Sequence, residues 1–171
     1  MGQAAVVGLA ALLLGCAPGA GGERSERSRG VFQVGSGFAI APGLIATAAH
    51  VVEGCSSVVV LGARFRVTGE VVDLDTRLDL ALIDAPGAGL APLPIAQEPP
   101  AAFRSFTLFG YPGGWPDWTP HRVEGFLKNE PRRGFYPIFT NSGPIHPGMS
   151  GGPALDGRGA VGGIITARAA V

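Results

Sequence analysis

From residue 31 onward the chain alternates short apolar runs with turn-forming residues, the pattern of an antiparallel β protein. It predicts strands over roughly 32–40, 44–48, 57–61, 65–74 and 80–83, with turns at Ala41-Pro42-Gly43 and Gly62-Ala63. Residues 85–100 are rich in Pro and Gly with scattered apolar positions, and read as a connector. A second set of strands is predicted over 105–110, 122–127, 136–140 and 159–167. Helix signals are nearly absent, apart from one turn at 48–52. Ahead of all this lies an apolar run at 4–14, too short to cross a bilayer comfortably. It is followed at 17–30 by a Gly-, Ser- and charge-rich stretch with no apolar period, which reads as a flexible tether.

Composition supports this picture. The 28 glycines and 15 prolines favour many short strands joined by turns over long helices. A length of 171 residues fits one compact domain or a pair of small barrels sharing an interface. Thirteen basic residues balance thirteen acidic ones, so charge points to neither nucleic acid nor an anionic membrane surface as a partner. Two cysteines, Cys16 and Cys55, cannot make a disulfide framework.

The stretch with the densest chemistry is G-P-I-H-P-G-M-S-G-G-P at 143–153. Glycines at 148, 151 and 152 leave room for a substrate carbonyl and accept backbone angles that other residues resist. Ser150 is then exposed at the tip of a sharp turn. The N–H groups of Gly148 and Ser150 can converge there on the negative oxygen that forms when a hydroxyl attacks an ester or amide. A serine hydroxyl needs a base, and the base needs an orienting group. His50, in T-A-A-H-V-V, is the candidate base, since imidazole exchanges protons near neutral pH. His121, in a Pro/Trp-rich loop, and His146, at the rim of the serine loop, are its rivals. Asp79, in D-L-A-L-I, is the candidate orienter, because its apolar neighbours would bury it and a buried carboxylate needs a partner. Asp73 and Asp75 read as solvated turn residues, and Ser36 as marking a strand bend.

Four segments in order resemble the trypsin-like (chymotrypsin-fold) serine proteases, closest to their bacterial HtrA-like branch: G-S-G-F at 35–38, A-A-H-V-V at 48–52, D-L-A-L at 79–82 and P-G-M-S-G-G-P at 147–153. No room follows them for a PDZ-type peptide-binding domain. The resemblance implies two packed antiparallel β-barrels with the site between them. The first would occupy about 31–84, the second about 101–171, with 85–100 as the crossing. It also implies that the second barrel is minimal or incomplete, because Val171 follows Ser150 so closely. A catalytic triad of Ser150, His50 and Asp79 is implied, with Gly148 and Ser150 as oxyanion donors and no metal or other cofactor. Pro144, Ile164, Ile165 and Thr166 would line the substrate pocket, with Thr166 also backing Asp79 through its hydroxyl. These segments hold no Asp or Glu, which disfavours cleavage after Lys or Arg and points to small or medium apolar side chains.

The N-terminus carries a second resemblance. Leu13, Leu14, Gly15 and Cys16 resemble the lipobox of bacterial lipoproteins, although no Lys or Arg precedes the apolar run. The implied arrangement is a signal peptide at 1–15, acylation of Cys16 and a tether at 16–30 holding an exported, envelope-anchored domain off the membrane. Cys55 would then stand alone as a small hydrophobe. The expected function is an exported serine endopeptidase acting on unfolded or extended polypeptide, monomeric by default. Two alternatives share the frame: a protease-fold binding protein without turnover, suggested by the bulky Met149 before the serine and by the short C-terminal stretch, and an esterase.

Overall fold

The computed structural model describes residues 9–18, 33–98, 105–113, 121–129, 139–141 and 143–166. The described chain is almost entirely β. Strands β1 (Leu9–Pro18), β2 (Val34–Ala41), β3 (Leu44–Thr47), β4 (Cys55–Gly62), β5 (Phe65–Asp75) and β6 (Leu80–Asp84) close into a barrel in the order β1-β2-β3-β6-β5-β4. A single helical turn, α1 (Ala49–Val52), interrupts the passage from β3 to β4. Strands β7 (Ser105–Gly110), β8 (His121–Asn129), β9 (Phe139–Asn141), β10 (Pro153–Leu155) and β11 (Val161–Ile164) form a second antiparallel sheet in the order β11-β10-β7-β8-β9. Among the described residues this sheet is open.

Alternation of side chains decides what each strand buries. In β4, Val58 and Val60 point inward, and in β6 Ala81 and Ile83 do so. They meet Ile45 of β3 and Val51 and Val52 of α1 in one cluster. Full burial of a valine or isoleucine contributes about 1.5–3 kcal/mol, so this cluster holds the barrel closed. Strand β2 departs from alternation, since Gly35 through Ala39 are all buried. One face looks into the barrel and the other is covered by the second sheet. Phe38 and Ala46 pack there against Leu155 and Val161, sealing barrel to sheet.

After β6 the described chain runs from the barrel towards the second sheet. This stretch opens with a short 3-10 turn at Pro86–Ala88. It is tied to β2 by Leu93 N–H donating to the Ala39 carbonyl (2.9 Å). It then runs beside β11, where Ala96 N–H donates to the Val161 carbonyl (2.9 Å) and Val161 N–H to the Pro94 carbonyl (2.7 Å).

Two elements differ from the sequence reading. Strand β10 was not anticipated, because its residues follow a Gly-Gly pair that reads as loop. Residues 9–14 of the apolar run assigned to an export signal belong to β1, which pairs antiparallel with β2 (Leu12 opposite Gly35) and with β4 (Leu12 opposite Val60). Pairing with a strand on each side satisfies the backbone N–H and C=O groups of such a segment. The expectation of a lone Cys55 is corrected: it is disulfide-bonded. Cys16, the other cysteine of the sequence, lies on β1 two residues before Pro18, the register partner of Cys55. Parts of the predicted second strand set, 136–138 and 167, lie outside the described residues, as does the tether at 19–30.

Candidate active site

The site is built where the barrel meets the sheet, from α1, the β5–β6 turn and the loop before β10. Val51 and Val52 are buried and anchor α1 to the barrel core, which turns His50 to the crevice with its side chain 38% exposed. Asp79 meets it from the β5–β6 turn. Its Oδ1 accepts the backbone N–H of His50 (2.8 Å), and its Oδ2 lies 2.7 Å from His50 Nδ1, with Oδ1 at 3.0 Å. One carboxylate thus fixes both the main chain and the ring of the histidine.

The turn that delivers Asp79 is made by the acidic residues before it. Asp75 Oδ1 accepts from the N–H groups of Arg77 (2.8 Å) and Leu78 (3.0 Å), and Asp73 Oδ1 from Leu74 N–H (2.8 Å). Side chains of this type build turns by such local bonds, and neither aspartate reaches the histidine. Asp79 itself has φ +53°, which Asp and Asn tolerate better than other non-glycine residues.

The serine loop is held by its own backbone. Four successive carbonyls are occupied. Pro147 accepts from Gly113 N–H (2.8 Å), Gly148 from Ser36 Oγ (2.7 Å), Met149 from Gly152 N–H (3.0 Å) and Ser150 from Ser36 N–H (2.7 Å). Met149 N–H donates to His146 (3.1 Å) and Gly151 N–H to Ile165 (2.6 Å). Among the described residues, the N–H groups of Gly148 and Ser150 donate to no protein acceptor. Glycine is required at two points, since Gly148 has φ +93° and Gly151 has φ +85°. A methyl group on Gly151 would collide with the Ser36 carbonyl and lie 2.9 Å from Ala48 N, two residues from His50. That closeness brings the serine loop and the histidine turn together.

Met149 is wholly buried against Phe106, Leu108, Ala154 and Ile165. Its side chain points into the second sheet's core, away from the crevice, so an apolar residue suits it. Tyr111, also buried, packs beside the loop, and burial raises the pKa of its phenol, keeping it neutral.

The expected pocket residues divide. Pro144 is exposed, and Ile164 and Thr166 are half-buried. Ile165 is corrected: its side chain belongs to the core cluster with Met149, and only its backbone serves the loop, its carbonyl accepting from Gly151 and its N–H donating to Gly152 (2.8 Å). Thr166 is not among the partners of Asp79, which takes hydrogen bonds from His50 alone among the described residues. His146 is exposed and contributes its carbonyl to the loop, and His121 opens β8.

Ser36 is the residue that sequence reasoning placed wrongly. It is completely buried rather than marking a bend, and it bonds three segments at once. A serine between two glycines inside an apolar strand is a signal of its own, since a buried hydroxyl without partners is costly.

Residues 35–164 match the model of the trypsin-like peptidase domain. The chain belongs to this family. Within it, serine protease Rv3671c of Mycobacterium tuberculosis is 31% identical over 139 residues, covering 77% of this chain and 35% of that protein. A probable periplasmic serine endoprotease, DegP-like, from Pseudomonas savastanoi is 30% identical over 151 residues, covering 86% of this chain and 31% of the relative. The chain therefore spans about a third of the length of these curated relatives. Among solved structures, the inactive form of the Rv3671c protease superposes with a TM-score of 0.69 at 28% identity, covering 78% of this chain and 72% of that one. The active form superposes at 0.74 with 24% identity, covering 96% and 71%, a likeness of fold. The likeness to the HtrA-like branch and the chymotrypsin-like fold is thus borne out for this trypsin-like domain.

Proposed function

We propose that the chain is an exported serine endopeptidase working through an acyl-enzyme. His50 Nε2 takes the proton of Ser150 Oγ as the oxygen attacks the scissile carbonyl carbon. The resulting oxyanion accepts from the N–H groups of Gly148 and Ser150, and the Asp79 carboxylate stabilises the imidazolium. His50 then passes its proton to the leaving amine as the C–N bond breaks, which leaves the acyl group on Ser150. Water, deprotonated by His50, releases the acid in the same manner.

One observation carries the reading: over Pro147–Ser150, where all four carbonyls accept a hydrogen bond, the N–H groups of Gly148 and Ser150 have no acceptor among the described residues. The burial of Met149 supports it further, since that side chain packs into the core of the second sheet and not towards His50. Substrate would be extended polypeptide with small or medium apolar residues at the cleaved position, next to Pro144, Ile164 and Thr166.

Placement in the cell envelope is supported by the periplasmic name of the DegP-like relative and by the disulfide at Cys55, a bond that persists in oxidising compartments. The N-terminus has two exclusive uses. Lipoprotein processing would remove the chain before Cys16 and acylate its sulfur, whereas the barrel keeps Leu9–Pro18 as β1. Intact mass of the protein recovered from membranes separates them, by loss of the first fifteen residues with added lipid or by retention of those residues without lipid. For the activity, hydrolysis of labelled casein is expected from the wild type and not from Ser150→Ala. Turnover of a short-chain ester with casein left intact would favour the esterase instead.

A further inference from the structure

We infer that Ser36 is a positioning residue that holds the oxyanion loop in its working shape, a role that rests on the protease reading above. Its environment leaves one arrangement of the hydroxyl. Ser36 Oγ lies 2.9 Å from Tyr111 N and 2.7 Å from the Gly148 carbonyl. An amide nitrogen only donates, so Oγ accepts from Tyr111, and its own proton is left for Gly148. The backbone of the same residue holds the next point of the loop, its N–H donating to the Ser150 carbonyl (2.7 Å). Ser36 therefore grips the carbonyls of the two residues whose N–H groups face the oxyanion. Its own carbonyl is fixed in turn by Thr47 Oγ1 (2.7 Å), three residues before His50.

The consequence is geometric. The positive φ of Gly148 lies between two peptide planes, one anchored through Pro147 to Gly113 and the other through Gly148 to Ser36. Released from Ser36, the plane between Gly148 and Met149 can rotate, since glycine resists few backbone angles. That plane carries the Met149 N–H, so its rotation breaks the bond from Met149 to the His146 carbonyl and, through the Cα atoms at its two ends, displaces the neighbouring planes that carry the N–H groups of Gly148 and Ser150. Ser36 touches neither substrate nor reacting atoms, so the loss should fall on transition-state stabilisation.

The test compares wild type, Ser36→Ala, Ser36→Thr and Ser150→Ala on a peptide amide substrate, with active sites counted by fluorophosphonate titration. Ser36→Ala is expected to lower kcat per titrated site by about a hundredfold, the size of losing one oxyanion donor, with KM little changed. Ser36→Thr keeps the hydroxyl and is expected to recover at least a tenth of wild-type kcat. A purely structural role would instead reduce the number of titratable sites and leave kcat per site intact, which overturns the inference, as does wild-type kcat in a folded Ser36→Ala. If Ser36→Ala does not fold, Ser36→Thr decides alone: kcat per site as low as the loss of a donor would give, despite the retained hydroxyl, counts against the role. Failure of wild type itself to react, or reaction of Ser150→Ala, refutes the protease reading and not the role of Ser36.

Discussion

Replacing Asp79 by Asn changes the fewest atoms for the largest expected effect. The asparagine tolerates φ +53° as aspartate does, and its carbonyl oxygen can keep the 2.8 Å bond from His50 N–H, so the turn should survive. The amide nitrogen then occupies the place of Oδ2, 2.7 Å from His50 Nδ1. A donor facing Nδ1 forces that nitrogen to accept, and the ring proton moves to Nε2, the atom that must take the proton of Ser150. The base is blocked by its own tautomer. A loss of about 10⁴ in kcat is expected, equivalent to about 5.4 kcal/mol of transition-state stabilisation. Hydrolysis of a peptide amide, measured beside thermal melting, checks this. Activity within threefold of wild type in a folded Asp79→Asn would refute the idea that this carboxylate sets the tautomer.

Three further outcomes are expected. Met149→Ala should lower the free energy of unfolding in urea by about 2–5 kcal/mol, the cost of a cavity at a wholly buried site beside Phe106 and Leu108. Asp156 caps the β10–β11 turn, accepting from Arg158 N–H (2.8 Å) and Ala160 N–H (2.9 Å). The bond from Ala160, then that from Arg158, holds its carboxyl below the usual range. A lowered folded-state pKa gives stability that is present above the ordinary carboxylate value and lost as pH falls through the lowered one. Asp156→Ala should therefore melt earlier than wild type at neutral pH, and the gap should close as the pH is taken well below about 4. Cys55 should resist iodoacetamide until the protein is reduced, as mapped by peptide mass; ready alkylation of the native, oxidised chain would contradict its disulfide.

Much of the barrel was legible because its strands follow period two between clear turns. β3, β6 and β7 fall within a residue of their predicted spans, and the turn carrying His50 lies where an A-A-H-V-V segment was read. Pairing of His50 with Asp79 was legible for a similar reason: an acidic residue flanked by leucines needs a partner. What was not legible depends on contacts between distant segments. The inward turn of Ile165, just past β11, is set by its backbone bonds to Gly151 and Gly152 in the serine loop, and nothing local says which way its side chain faces. The role of Ser36 is set by a loop more than a hundred residues away. Strand β1 is the sharpest case, since an apolar run has the same composition whether it awaits a bilayer or the gap between β2 and β4.

The most direct test of the account is reaction of the folded protein with a fluorophosphonate probe, read by mass on tryptic peptides. A single adduct on Ser150, absent from both Ser150→Ala and His50→Ala, is the predicted result. A well-folded wild type that stays unlabelled, or carries its adduct on another residue, would contradict the assignment of Ser150 as nucleophile and His50 as its base.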